Sequence, residues 1–206
     1  LHEGQYKANI AADSGLCLLA DGRLDGIVNM GYDACHRSYQ ALWFYFLDTG
    51  AIVPGFAEND QSDSVPSLLE RLPYRTYLHL GGDVSVESIV RAAARGAAFS
   101  STGAFAMIEV DGVPMGSVCE TAKGMAHRLT VHAWPVPGQN CFSRLDVIGR
   151  GGKTLHSVER FPGGTLQYAL EGDDAPGYII VRGFGEDDDP EDPSRAGNFP
   201  GHPPRD

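Results

Sequence analysis

Basic residues are scarce in this chain. Its 206 residues include 16 Lys and Arg against 27 Asp and Glu, a formal net charge of −11 with the His neutral. That balance argues against nucleic acid as the main partner, because phosphate binding needs a basic surface. It argues equally against an anionic membrane surface. No apolar run approaches the roughly 20 residues of a membrane helix, so no membrane span is expected. C-x-x-C is absent, which removes the zinc ribbon and the thioredoxin-type motif. The G-x-S-x-G elbow, the P-loop and G-x-G-x-x-G are also absent. The chain starts at Leu1 without an initiator Met, and no charged segment, apolar segment and cleavage site follow it. The expectation is a chain that has lost a leader or is a piece of a longer one.

What the sequence has is an ordinary globular composition, 42% hydrophobic and 21% charged. Its length suits one large domain or two small ones. The 26 Gly and 13 Pro point to many turns and short strands. Four Cys are present, Cys17, Cys35, Cys119 and Cys141. In an exported protein they would pair locally as Cys17 with Cys35 and Cys119 with Cys141. Four free thiols are the alternative, and both readings stand. An extracellular or periplasmic location is expected from the acidic charge and the Cys content.

Residues 1–50 read as helical or mixed, with a turn at Asp21-Gly22 and a short buried strand over residues 24–30. Tyr39, Leu42, Trp43, Phe46 and Leu47 recur at helical spacing, and Gly50 stands where a helix C-cap belongs. Residues 51–54 read as a strand and 55–75 as a polar loop. Residues 75–80 alternate as a strand, with Thr76, Leu78 and Leu80 on one face and Arg75, Tyr77 and His79 on the other. Residues 85–95 form a helix capped by Ser85, with Ser88 in place of the usual Glu and Gly96 closing it. Residues 100–103 read as a polar turn. Beyond Gly103 the pattern becomes alternating segments at 107–110, 126–134, 144–149, 153–158, 165–170 and 178–184, with turns such as Asp111-Gly112 and Gly151-Gly152 between them. Strands at that spacing suggest a β-sandwich.

Several segments in this order resemble the C-terminal part of CehA/McbA-type metallohydrolases of the polymerase-and-histidinol-phosphatase (PHP) superfamily. Trp43-Phe44-Tyr45-Phe46-Leu47-Asp48-Thr49-Gly50 resembles that family's aromatic helix end. Val53-Pro54 and the loop Asn59-Asp60-Gln61-Ser62-Asp63 are similar to the approach to its metal loop. Pro73-Tyr74-Arg75-Thr76-Tyr77-Leu78 resembles the next strand. Arg95-Gly96-Ala97-Ala98-Phe99-Ser100-Ser101-Thr102-Gly103 resembles the segment after it, although Ala104 stands where the family has Pro. Val110-Asp111-Gly112 and Gly116 resemble the following hairpin. The likeness covers roughly residues 20–185. The family's opening H-x-H metal motif is missing, and the His are scattered at 2, 36, 79, 127, 132, 156 and 202.

The resemblance implies an α/β fold in residues 1–103, a partial PHP-like barrel segment, followed by an antiparallel β-sandwich in residues 104–184. An acidic, Pro-rich tail fills residues 185–206. It implies a C-terminal fragment or subunit of a metal-dependent hydrolase, with metal-activated water attacking an ester, carbamate or phosphoester. Asp60 would be a ligand to zinc or manganese, with His ligands supplied by a missing N-terminal segment or a companion chain. His36 and His79 are further candidate ligands from the same rim, and Arg75 a candidate anion binder. Glu58 and Asp63 are expected to be surface charges, as is the acidic run Asp187-Asp188-Asp189 with Glu191-Asp192, although carboxylate oxygens there could hold calcium. The competing reading is a non-enzymatic structural or binding module in an extracellular assembly, with a homo-oligomer among its forms.

Overall fold

Helices mixed with short strands before residue 103, and strands beyond it, make two kinds of layer in the computed structural model, which describes residues 25–30, 36–57, 74–119, 124–170 and 177–185, the side chains of residues 36–39 excepted. Strand β1 (Ile27–Met30) leads into helix α1 (His36–Asp48), and the chain returns as β2 (Gly55–Ala57). β1 and β2 pair in parallel, Ile27 opposite Gly55 and Val28 opposite Phe56, with an irregularity before Met30. A parallel pair needs a crossover, and α1 supplies it.

Phe46 is the buried anchor of α1, and the Trp43 indole N–H donates to the Val53 carbonyl at 2.7 Å. Gly50, at φ +85°, takes the left-handed turn that ends the helix. The strand expected at residues 51–54 forms instead at 55–57. Pro54 has no N–H for a ladder, and the carbonyls of Val53 and Pro54 are taken by Trp43 and by the Ile27 N–H at 2.9 Å.

β3 (Arg75–Leu78) and β4 (Ala98–Ser101) form an antiparallel pair, joined through helix α2 (Val86–Ala94). The Ser85 hydroxyl accepts from the Ser88 N–H and the Ser88 hydroxyl from the Ser85 N–H, a capping box built from two serines. The polar turn expected at 100–103 begins later than the sequence suggests, because Ser100 and Ser101 finish β4. The Ser101 hydroxyl then stitches the turn, accepting from the Gly103 N–H and donating to the Ala104 carbonyl. Among the described residues this first part consists of two two-stranded sheets and does not close a barrel.

The second part is antiparallel. β5 (Phe105–Val110), β6 (Val113–Pro114), β7 (His127–Trp134) and β10 (Gly164–Leu170) make one sheet in the order β10-β7-β5-β6. β8 (Phe142–Gly149), β9 (Lys153–Phe161) and β11 (Ile180–Phe184) make another in the order β11-β8-β9. Alternation sends Leu129, Val131 and Ala133 of β7 into one core with Leu145 and Val147 of β8, Phe161 and Leu170, while β8 is buried on both faces from Leu145 to Gly149. Burying each Leu or Val stabilises the fold by about 1.5–3 kcal/mol. No helix among the described residues is long and apolar enough to cross a membrane.

Helix α1 lies on the outer side of the three-stranded sheet. Phe44 stacks on Tyr178 with ring centroids 6.3 Å apart, and the Gly151 N–H donates to Asp48 Oδ1 at 2.7 Å. A carboxylate at a helix C-terminus meets the negative end of the dipole, so this bond offsets an unfavourable placement. Beneath the helix sits Asp146, fully buried in the central strand β8. Its Oδ1 accepts from the Ser157 hydroxyl of β9 at 2.6 Å and meets Arg144 Nε at 3.0 Å. Its Oδ2 faces Arg182 of β11 at 3.5 Å. Arg182 in turn donates to Gln40 Oε1 of α1 at 3.1 Å.

Removing the carboxylate strands two partly buried guanidinium groups. Asp146→Leu should therefore lower unfolding free energy by about 3–5 kcal/mol in urea titrations. Replacing Asp146, Arg144 and Arg182 together by apolar residues should recover most of that loss. A triple variant as unstable as the single one would show that the cost is steric.

Candidate functional site

Of the residues singled out by the resemblance, Arg75 opens β3 beside the end of β2, whereas His79 follows the opposite end of β3, level with Ala97, and so does not share the rim expected for it. β1 and β2 run in the same direction, so the chain leaves both at the same edge, after Met30 and after Ala57. The first exit leads to His36, which opens α1. The second leads to Asn59 and Asp60. Asp60, Glu58 and Asp63 lie outside the described residues, as do the acidic tail, Cys17 and Cys35.

The positions of both exits are fixed by side-chain bonds. The Thr76 hydroxyl of β3 accepts from the Ala57 N–H at 2.8 Å and so pins the end of β2. The Ser100 hydroxyl of β4 donates to Asn29 Oδ1 of β1 at 2.7 Å. His79 follows β3, its N–H donating to the Ala97 carbonyl at 2.8 Å, while its Nδ1 is buried with no hydrogen-bond partner. Arg75 is exposed and lies in register with Ser101. No group of three or more His, Cys, Asp or Glu gathers as a metal site among the described residues.

Cys119 and Cys141 are free thiols, the first half-buried and the second buried. The local pairing considered for them does not form, and that pair supplies no argument for export.

A buried His–Asp pair lies at the start of β7. His127 is only 7% exposed, and its Nδ1 is 2.6 Å from Asp111 Oδ2. Asp111 Oδ1 accepts from the Arg128 N–H at 2.8 Å. These bonds, the Arg128 amide first and His127 second, hold the Asp111 carboxyl below the usual carboxylate range. The signal was present in the sequence. Counting back by two from Ala133, Val131 and Leu129 puts His127 on the core face, and Asp111 stands in the hairpin turn beside it.

His127 and Cys119 line a cavity of 1160 Å³ whose walls also include Trp43, Ser100, Ile108 and Leu145. The walls come from both parts of the molecule and are mostly apolar. Such a space suits a hydrophobic ligand positioned by a few polar groups.

No protein-family model matches the chain, and no curated protein matches it.

A carboxyl whose pKa is lowered by folding stabilises the native state above its unfolded pKa, and that stabilisation is lost as pH falls through the folded one. The urea midpoint should therefore drop as pH falls below about 4, and Asp111→Asn should remove part of that drop. A variant with the wild-type pH profile would show that Asp111 carries none of this dependence.

Proposed function

We propose that this chain is the C-terminal part, or a subunit, of a PHP-like metal-dependent hydrolase acting on ester, carbamate or phosphoester bonds. The observation that carries the reading is the parallel pairing of β1 and β2. In α/β sheets ligands bind outside the carboxyl ends of parallel strands. The segment with Asn59 and Asp60 departs from such an end, and Thr76 holds the point of departure. Catalytic zinc or manganese needs about three protein ligands. The described residues do not gather that number, so Asp60 is proposed as one ligand and the others as contributions from a companion chain or an upstream segment.

The surface of α2 is in keeping with such a companion. Val86 and Val90 are exposed one turn apart on it, with Ala94 a turn further and Val84 just before its cap. Such a strip would suit contact with a companion chain.

The 1160 Å³ apolar cavity favours a second reading, a non-enzymatic binding module in an extracellular or periplasmic assembly. Metal binding separates the two. The isolated chain should bind zinc or manganese weakly in equilibrium dialysis and show no hydrolase activity. The native assembly, isolated with a companion carrying H-x-H, should bind metal tightly, and Asp60→Ala should lose both metal and activity while keeping its circular dichroism. Tight stoichiometric metal in the isolated chain that Asp60→Ala leaves unchanged would contradict the proposal.

A further inference from the structure

The outer face of the four-stranded sheet carries an open row of aromatic rings. Phe105 of β5 and Trp134 of β7 are directly paired across the ladder, with centroids 5.6 Å apart. Phe105 meets Phe99 of β4 edge-on at 5.5 Å, and Phe99 stacks on its cross-strand partner Tyr77 at 4.9 Å. Tyr77 is 39% exposed, Phe105 40% and Trp134 48%. Neighbouring rings stabilise one another, and three of the four are exposed to water, open to a ligand.

The same face continues into hydrogen-bonding side chains. His132 lies one position inward from Trp134 on that face, opposite Thr165 of β10, and its Nδ1 is 3.0 Å from the Thr165 hydroxyl. Thr130 and Gln167 form the next pair. Helix α1 covers the other sheet, where Gln40 bonds Arg182 of β11.

From this face we infer a binding site for a neutral polysaccharide chain. A pyranose ring has an apolar C–H face and an edge of hydroxyl groups. Open aromatic rings complement the first, and the Thr, Gln and imidazole groups beside them complement the second. The charges sharing this face, Glu109 and Arg128, offset each other, which suits an uncharged chain. The rings do not form one flat platform, because Trp134 is inclined 52° to Phe105 and Phe99 77° to Phe105. A twisted row fits a soluble, twisted chain better than a flat crystalline surface. This inference does not depend on the hydrolase reading, since none of these residues belongs to the edge that leads to Asp60.

The test is affinity electrophoresis of the full chain in native gels containing soluble xylan, hydroxyethylcellulose or glycogen. Retardation is expected in at least one gel. Trp134→Ala and Phe105→Ala should each weaken it about tenfold, while Tyr45→Ala, which removes an exposed ring from α1, should leave it unchanged. Urea unfolding of each variant checks that the fold survives. The chain has two Trp, so a Trp43→Phe background isolates Trp134, whose fluorescence should shift when the retarding polysaccharide is added. Absence of retardation in all three gels would overturn the inference. So would retardation that Trp134→Ala leaves unchanged, or a Trp134 shift that follows protein concentration alone and so reports a second copy of the chain.

Discussion

A single carboxylate connects the layers of this protein. Asp146 lies in the middle strand of the three-stranded sheet and meets Ser157 on one side and Arg182 on the other. Through Arg182 and Gln40 it reaches α1, the crossover helix of the parallel pair. Both guanidinium groups lie over the Phe184 ring, each 4.8 Å from its centroid. Burial pulls the Arg182 pKa down from its ordinary value, and the Asp146 charge opposes that shift. A cluster of this kind adds little net stability over an apolar filling, but it tolerates only one arrangement of its members. Through it α1 is tied to the three-stranded sheet by the Arg182–Gln40 bond.

A second constraint ties the parts together from the other side. Gly116, just past β6, has φ +76°, and a Cβ there would fall on the backbone of Ala97. Ala97 is fully buried, and its N–H donates to the Ala92 carbonyl at 2.9 Å. The hairpin of the four-stranded sheet therefore presses on the junction of α2 and β4. With α1 clamped on one sheet and this hairpin held against the other part, the edge leading to His36 and Asp60 is set by contacts outside it. Positioning a site by its surroundings is what metal and binding sites require, because a group misplaced by about 1 Å loses most of its effect.

Much of this was legible in the sequence, and the reasons differ by element. The alternation in residues 126–134 marks a strand because one face of it is buried. Ser85, Ser88 and Gly96 mark α2 because capping is a local event. Pro54 displaced β2 by removing a ladder donor, a local effect that a count of apolar residues overlooks. Asp146 was illegible for another reason. A charge inside an alternating strand reads as solvent-facing, and its partners come from β9, β11 and α1, far apart in sequence. The order β10-β7-β5-β6 was hidden too, since it pairs strands that are not consecutive. The same holds for the cavity and for the row from Tyr77 to Trp134, which exist only once β4 meets β5. Of the proposed ligands, Asp60 was singled out by resemblance alone, and the structure adds the edge from which its segment departs.

The proposed hydrolase requires a metal at the edge where β1 and β2 end. Anomalous scattering from crystals of the native assembly, companion included, soaked in manganese measures this. A peak is expected beyond Met30 and Ala57, with the Asp60 carboxylate among the ligands. A peak elsewhere on the molecule, or one at that edge without Asp60, would contradict it.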